Sequence, residues 1–65
     1  MNTSCTPPYI TVTRGMSGWF AVLLAYYDDI KGYDIYCTGI GRYEDKADAE
    51  AEARQWAAAE NIESR

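Results

Sequence analysis

Two cysteines and a run of carboxylates are the residues of this 65-residue chain with the most obvious chemistry. Cys5 and Cys37 lie 32 positions apart, with no CxxC spacing. A zinc site needs four ligands, and two cysteines in a chain without histidine do not make a usual set. The even count allows one disulfide. With no export signal the expectation is a reducing compartment and two free thiols that behave as small apolar residues. The absence of histidine also removes the side chain most used for proton transfer near neutral pH. Neither cysteine has a histidine to activate it as a nucleophile.

Gly39-Ile40-Gly41-Arg42 shares two glycines with a dinucleotide-binding loop. That fingerprint needs a third glycine, a parallel βαβ unit and a later acidic residue, so the segment reads as a bend. Asp28, Asp29 and Asp34 do not fit the spacing of a calcium loop, and Gly32 falls in the wrong place for one; they read as a solvated turn. Paired carboxylates do acid–base work only in a sheltered cleft, and a chain this short offers little depth. No catalytic residue, cofactor or metal ligand is assigned, and the chain is expected not to be an enzyme.

The carboxylates remain. Glu44, Asp45, Asp48, Glu50 and Glu52 form the densest acidic run, with Glu60 and Glu63 beyond. Ten Asp and Glu against six Lys and Arg give a net charge of −4. The cations Arg14, Lys31, Arg42, Lys46, Arg54 and Arg65 are scattered, so direct binding of DNA or RNA, which needs a basic patch, is not expected. The acidic run reads either as a solvated helix face that keeps the protein soluble or as a negative ridge that imitates nucleic-acid phosphates and docks on basic grooves. Six tyrosines and two tryptophans either fill the core of a small domain or supply contact area for a protein partner.

The elements that must position these residues follow from local pattern. Residues 1–8 read as an extended leader, with Pro7 and Pro8 biasing it away from helix and no basic or apolar region of a signal peptide. Tyr9–Thr13 is all β-branched or aromatic and predicts a strand. Arg14–Gly18 predicts a turn, Trp19–Tyr27 a second strand, Asp28–Gly32 a second turn and Tyr33–Gly39 a third strand. The longest apolar run, Trp19–Tyr27, has nine residues, too few for a membrane span. From Asp45 the chain turns alanine-rich, and a helix is expected over about 46–61, within a helical segment 45–62. Asp45 and Asp48 resemble a capping pair. The expected fold is α+β: a three-stranded antiparallel β-meander over 9–43 followed by one C-terminal helix on one sheet face, β-β-β-α, in a single domain.

Symmetric pairing about the two turns sets Thr13 against Trp19, Val12 against Phe20, Tyr27 against Tyr33 and Leu24 against Tyr36. A one-residue slip would invert the faces. In that register Ile10, Val12, Phe20, Val22, Leu24, Tyr36 and Ile40 form the core face. Tyr9, Thr11, Thr13, Trp19, Leu23, Tyr27, Tyr33, Ile35 and Cys37 form the other, which a single helix cannot also cover. On the helix, Ala47, Ala51, Ala58 and Ile62 fall on one side and Ala49, Ala53 and Trp56 roughly opposite; Trp56 is expected at the core edge.

In size, in the acidic run Glu44–Glu52 and in its surplus aromatics Trp19, Tyr27 and Tyr33, the chain resembles the small acidic proteins that phages encode against bacterial defences, anti-CRISPR proteins in particular. The resemblance implies a non-catalytic inhibitor, a DNA mimic in the host cytoplasm. Its partner would be a protein, a basic surface of a nucleic-acid-handling complex, and the chain would act as monomer or homodimer, with no membrane contact. The residues expected at the partner are Trp19, Tyr27, Tyr33, Glu44, Asp45, Asp48, Glu50, Glu52 and Glu60. The other reading is a structural homodimer or adaptor that uses the uncovered sheet face.

Overall fold

The computed structural model describes residues 7–65, so Cys5 and most of the leader lie outside the described residues. Three strands, β1 (Tyr9–Gly15), β2 (Gly18–Asp28) and β3 (Gly32–Thr38), form an antiparallel meander. The helix α1 (Lys46–Glu60) then crosses the sheet and delivers a short strand, β4 (Glu63–Ser64). The strand order is β3-β2-β1-β4. β4 runs parallel to β1, with Tyr9 opposite Glu63 and Ile10 opposite Ser64. The architecture is α+β as expected, but the sheet is mixed and has a fourth strand.

That fourth strand has no sequence signal of its own; the end of the helix places it. Asn61 takes the left-handed conformation (φ 57°). Its N–H donates to Ala58 O (3.3 Å) and the Ile62 N–H to Ala57 O (2.9 Å), the pair of bonds that defines a Schellman stop. The stop turns Ile62 back onto the core and lays the next residues beside β1, where the Arg65 N–H donates to Ile10 O at 2.7 Å. At the other end Asp45 is the extended N-cap, but its side chain makes no capping bond. The expected capping pair reduces to the Asp48 N–H on Asp45 O (3.2 Å), with the Asp48 carboxylate in the first turn, at the positive end of the helix dipole.

The first hairpin corrects the expected register. β1 and β2 run through to Gly15 opposite Gly18, leaving only Met16 and Ser17 in the turn. Thr13 faces Phe20 instead of Trp19, and Val12 faces Ala21 instead of Phe20. The cause sits at Gly18, with φ 115°. A Cβ there would lie 2.5 Å from Tyr43 O, because Trp19 and Tyr43 exchange backbone hydrogen bonds of 2.7 and 2.9 Å. The one-residue slip turns β2 over. Trp19, Ala21 and Leu23 now share a face with Ile10 and Val12, while Phe20, Val22 and Leu24 point the other way.

The core under the helix is Ile10, Ala21, Ala53 and Ala57, with Val12, Leu23, Trp56 and Ile62 packed against it. Of the two helix stripes, the one with Ala49, Ala53 and Ala57 is buried, its small side chains letting helix and sheet approach closely. The helix lies over β1, β2 and β4, and β3 stands outside its footprint.

The second hairpin is closed by Asp28, whose Oδ1 accepts the N–H groups of Ile30 (3.0 Å) and Lys31 (2.6 Å), a side chain standing in for turn backbone. The expected register survives where Leu23 faces Cys37 and fails in between, where Leu24 faces Ile35 and Tyr26 faces Tyr33. Two irregularities absorb the shift and leave Tyr27 and Tyr36 without a cross-strand partner. Tyr36 (68% exposed) and Ile40 (97%) are therefore not core residues.

Candidate functional site

The aromatic and acidic residues singled out in the sequence do not form one surface. Trp19 and Tyr27 both lie on β2, eight residues apart, a separation of roughly 27 Å along an extended strand. Tyr33 lies on the opposite sheet face, pairing with Tyr26 across the strands. Its ring packs edge-on to Tyr9 (4.9 Å) and Tyr26 (5.5 Å), and its hydroxyl donates to Pro7 O (3.1 Å). Tyr33 is therefore a half-buried packing residue, and Tyr27 is 49% exposed at the far end of β2.

The acidic run also divides. Helix geometry turns 100° per residue. Measured from the buried stripe, this puts Asp48 and Glu52 on one flank and Glu50 with Arg54 on the other, with Glu60 about 18 Å along the axis from Asp48. Glu52 is tied into the fold. It is half-buried, its Oε1 accepts the Tyr43 hydroxyl at 2.9 Å, and a Cβ on Gly39 would run into its other oxygen. The Gly39-Ile40-Gly41 bend thus wraps a carboxylate, and Arg42 Nη1 fastens it by donating to Gly39 O (2.9 Å) and Gly41 O (3.0 Å). Accepting from Tyr43 stabilises the neutral phenol, and with the nearby Glu52 charge this raises the Tyr43 pKa above its ordinary value.

What remains together is one corner. Glu44, Asp45 and Asp48 are all exposed, in the loop and first turn that enter α1. Tyr43, which precedes Glu44, bridges to the half-buried Trp19, and the Lys46 ammonium lies 5.5 Å from the Trp19 ring centroid.

The cations explain why this corner keeps its charge. Four of the six lie over aromatic rings: Lys46 over Trp19, Arg42 over Phe20 (4.2 Å), Arg65 over Tyr9 (4.1 Å) and Lys31 over Tyr27 (4.8 Å). Among the described residues the ion pairs are Lys31–Asp34 (3.6 Å) and Arg65–Glu63 (2.9 Å). None involves Glu44, Asp45, Asp48, Glu50 or Glu60. These stacks escaped the sequence reading because each joins residues distant in sequence, or neighbours whose shared face depends on the register. The one local signal was Tyr43, two residues after Gly41, where the bend needs a large group to close on.

Asp28, Asp29 and Asp34 are each occupied locally: Asp28 by the turn N–H groups, Asp29 by the Tyr26 hydroxyl, and Asp34 by Lys31 and the Ile35 N–H. Among the described residues no group of His, Cys, Asp or Glu is arranged to hold a metal, and no helix is long and apolar enough to cross a membrane. Cys37 is exposed on β3. No family model matches the chain, no curated protein matches it, and no solved structure matches it.

Proposed function

We propose that the chain is a non-catalytic, protein-binding inhibitor of the phage anti-CRISPR type. Its acidic corner would occupy a basic, nucleic-acid-binding surface of the target complex. The observation that carries this reading is the set of three exposed carboxylates at Glu44, Asp45 and Asp48, in no ion pair among the described residues, while Lys46, their neighbour in sequence, lies over Trp19. Closely spaced, un-neutralised negative charge steers encounter with a basic groove. The neighbouring indole offers desolvated contact area once the groove is reached. Compared with the surface expected from sequence, the contact is smaller: Glu52 belongs to the fold, and Tyr33 packs on the other face.

The test is competition. Purified chain is added to CRISPR surveillance complexes bound to labelled target DNA, and DNA release is followed by gel shift. The reading expects release from at least one complex. The triple variant Glu44→Lys, Asp45→Lys, Asp48→Lys should associate at least about tenfold more slowly at low salt, the scale expected when steering charge is reversed. A variant that releases DNA as fast as the wild type removes the acidic corner from the mechanism. Failure to displace DNA from any complex removes the inhibitor reading itself.

A further inference from the structure

The two edges of the sheet differ. β4 is two residues long, and its Glu63 is held by Arg65. β3 is seven residues long and, among the described residues, pairs only on its inner side, with β2. No helix overlies it, and residues Asp34–Thr38 are all exposed. The Gly39 N–H turns inward to Ala21 O (2.8 Å), so by strand alternation the Thr38 N–H turns outward. The Ile35 N–H donates to the Asp34 carboxylate of its own strand (2.8 Å), and Lys31 holds that carboxylate at 3.6 Å.

We infer that the β3 edge accepts a second copy of this chain by antiparallel strand addition, β3 against β3, with Asp34 as a guard that competes for the Ile35 N–H. An edge with free backbone donors and acceptors selects a strand as its partner. The charge map selects the chain's own strand. Asp28, Asp29, Lys31 and Asp34 lie at the hairpin end of β3, and the Glu52 carboxylate lies against Gly39 at its other end. Antiparallel pairing centred on Ile35 sets Lys31 of one copy across from Gly39 of the other, cation toward carboxylate. Asp34 is the one charged residue in β3. Pairing centred on Ile35 sets Asp34 across from Tyr36 of the copy, not across from its like. The same pairing covers Ile35 (48% exposed) and Tyr36. The guard keeps the association weak and reversible, and the irregularity at Tyr36 keeps it short. This differs from a face-to-face dimer: the open sheet face stays open, and the sheet lengthens.

Sedimentation equilibrium under reducing conditions tests it, from about 10 μM to about 1 mM, the range that small interfaces occupy. The mass should rise from 7.3 kDa toward twice that value. Asp34→Ala frees the Ile35 N–H and should tighten the dimer several-fold, up to about tenfold. Ile35→Lys sets two like charges opposite each other and should weaken it about tenfold, as should Thr38→Pro, which deletes an outward donor. Circular dichroism establishes that each variant is folded. Should Thr38→Pro unfold the chain, Ile35→Lys decides alone, because it keeps every backbone donor. Wild type and Asp34→Ala both monomeric at every concentration overturn the inference, even where another protein's strand is found on this edge. A dimer that Ile35→Lys leaves unchanged overturns it as well, because the contact then lies elsewhere.

Discussion

On the helix side of the sheet, Ile10 and Ala21 are fully shielded from water beneath a stripe of alanines. On the other side Val22 is nearly as deeply buried, 2% exposed, with no helix over it. Val22 is flanked on that face by Phe20 and Leu24 along β2 and by Thr11 and Thr38 across it. Beyond them Tyr9, Tyr26 and Tyr33 pack edge to face, and the guanidinium groups of Arg42 and Arg65 lie over Phe20 and Tyr9. One face is closed by small residues that let a helix come close. The other is closed by long amphipathic side chains, whose apolar bodies cover the sheet while their polar ends stay wet. A chain of this length has only one helix to spare. The difference shows how it buries residues on both faces, with Arg42 and Arg65 laid over rings, while among the described residues the carboxylates at the entrance to α1 form no ion pair.

The largest expected effect comes from emptying each side in turn. Ile10→Ala should cost about 2–5 kcal/mol, much of the roughly 3–10 kcal/mol available to a domain of this size. Val22→Ala should cost about 2 kcal/mol if the open face is a true second packing layer. Urea unfolding measures both, and a Val22 effect near zero would remove the second layer. Next comes the register. Gly18→Ala forces a side chain into a φ of 115° and against Tyr43 O, and should destabilise by about 1–3 kcal/mol. The strain falls on the contact that sets which face of β2 meets the helix. Smaller still, Arg42→Ala and Arg65→Ala each lose a stack on a half-buried ring worth about 0.5–1 kcal/mol, together with the Arg42 bonds to Gly39 O and Gly41 O or the exposed Arg65–Glu63 pair, read as a drop in Tm. The same change at Arg54, which stacks on none of these rings, serves as the control.

The smallest effect is one of pH. The Tyr43 pKa is raised first by its hydrogen bond to Glu52 and then by burial and the Glu52 charge, so folding favours the protonated phenol. That contribution is fully present below about pH 10, where the unfolded phenol is also protonated, and is lost as pH rises through the higher folded value. Tyr43→Phe should abolish this alkaline loss while leaving the acid limb unchanged. Thermal melts of both proteins from neutral to alkaline pH check it.

Strands, turns and helix were legible because each depends on neighbours in sequence: β-branched and aromatic residues at Tyr9–Thr13, alanines after Asp45. The faces were not. They hang on whether the first turn holds two residues or five, and that is decided by Tyr43, 25 positions beyond Gly18, bonding to Trp19. β4 was illegible for a similar reason: Glu63 and Ser64 pair with β1 because the Asn61 stop delivers them there, not because they favour strands. Of the candidate site, the exposure of Glu44, Asp45 and Asp48 was legible from composition. The withdrawal of Glu52 was not, since it follows from the close approach of Gly39 and Gly41. The placement of Tyr33 among packing residues has a different origin: the irregularity after Leu23 sets it opposite Tyr26 instead of Tyr27.

Methyl and aromatic nuclear Overhauser effects test that slip most directly. The structure requires contacts from the Ala53 methyl to Ala21 and Ile10, which share its core cluster. The Val22 methyls should contact side chains of the open face and no methyl of α1. Strong contacts from the α1 alanines to Phe20 or Val22, with Ala21 and Leu23 exposed, would put β2 in the symmetric register and contradict the two-faced account.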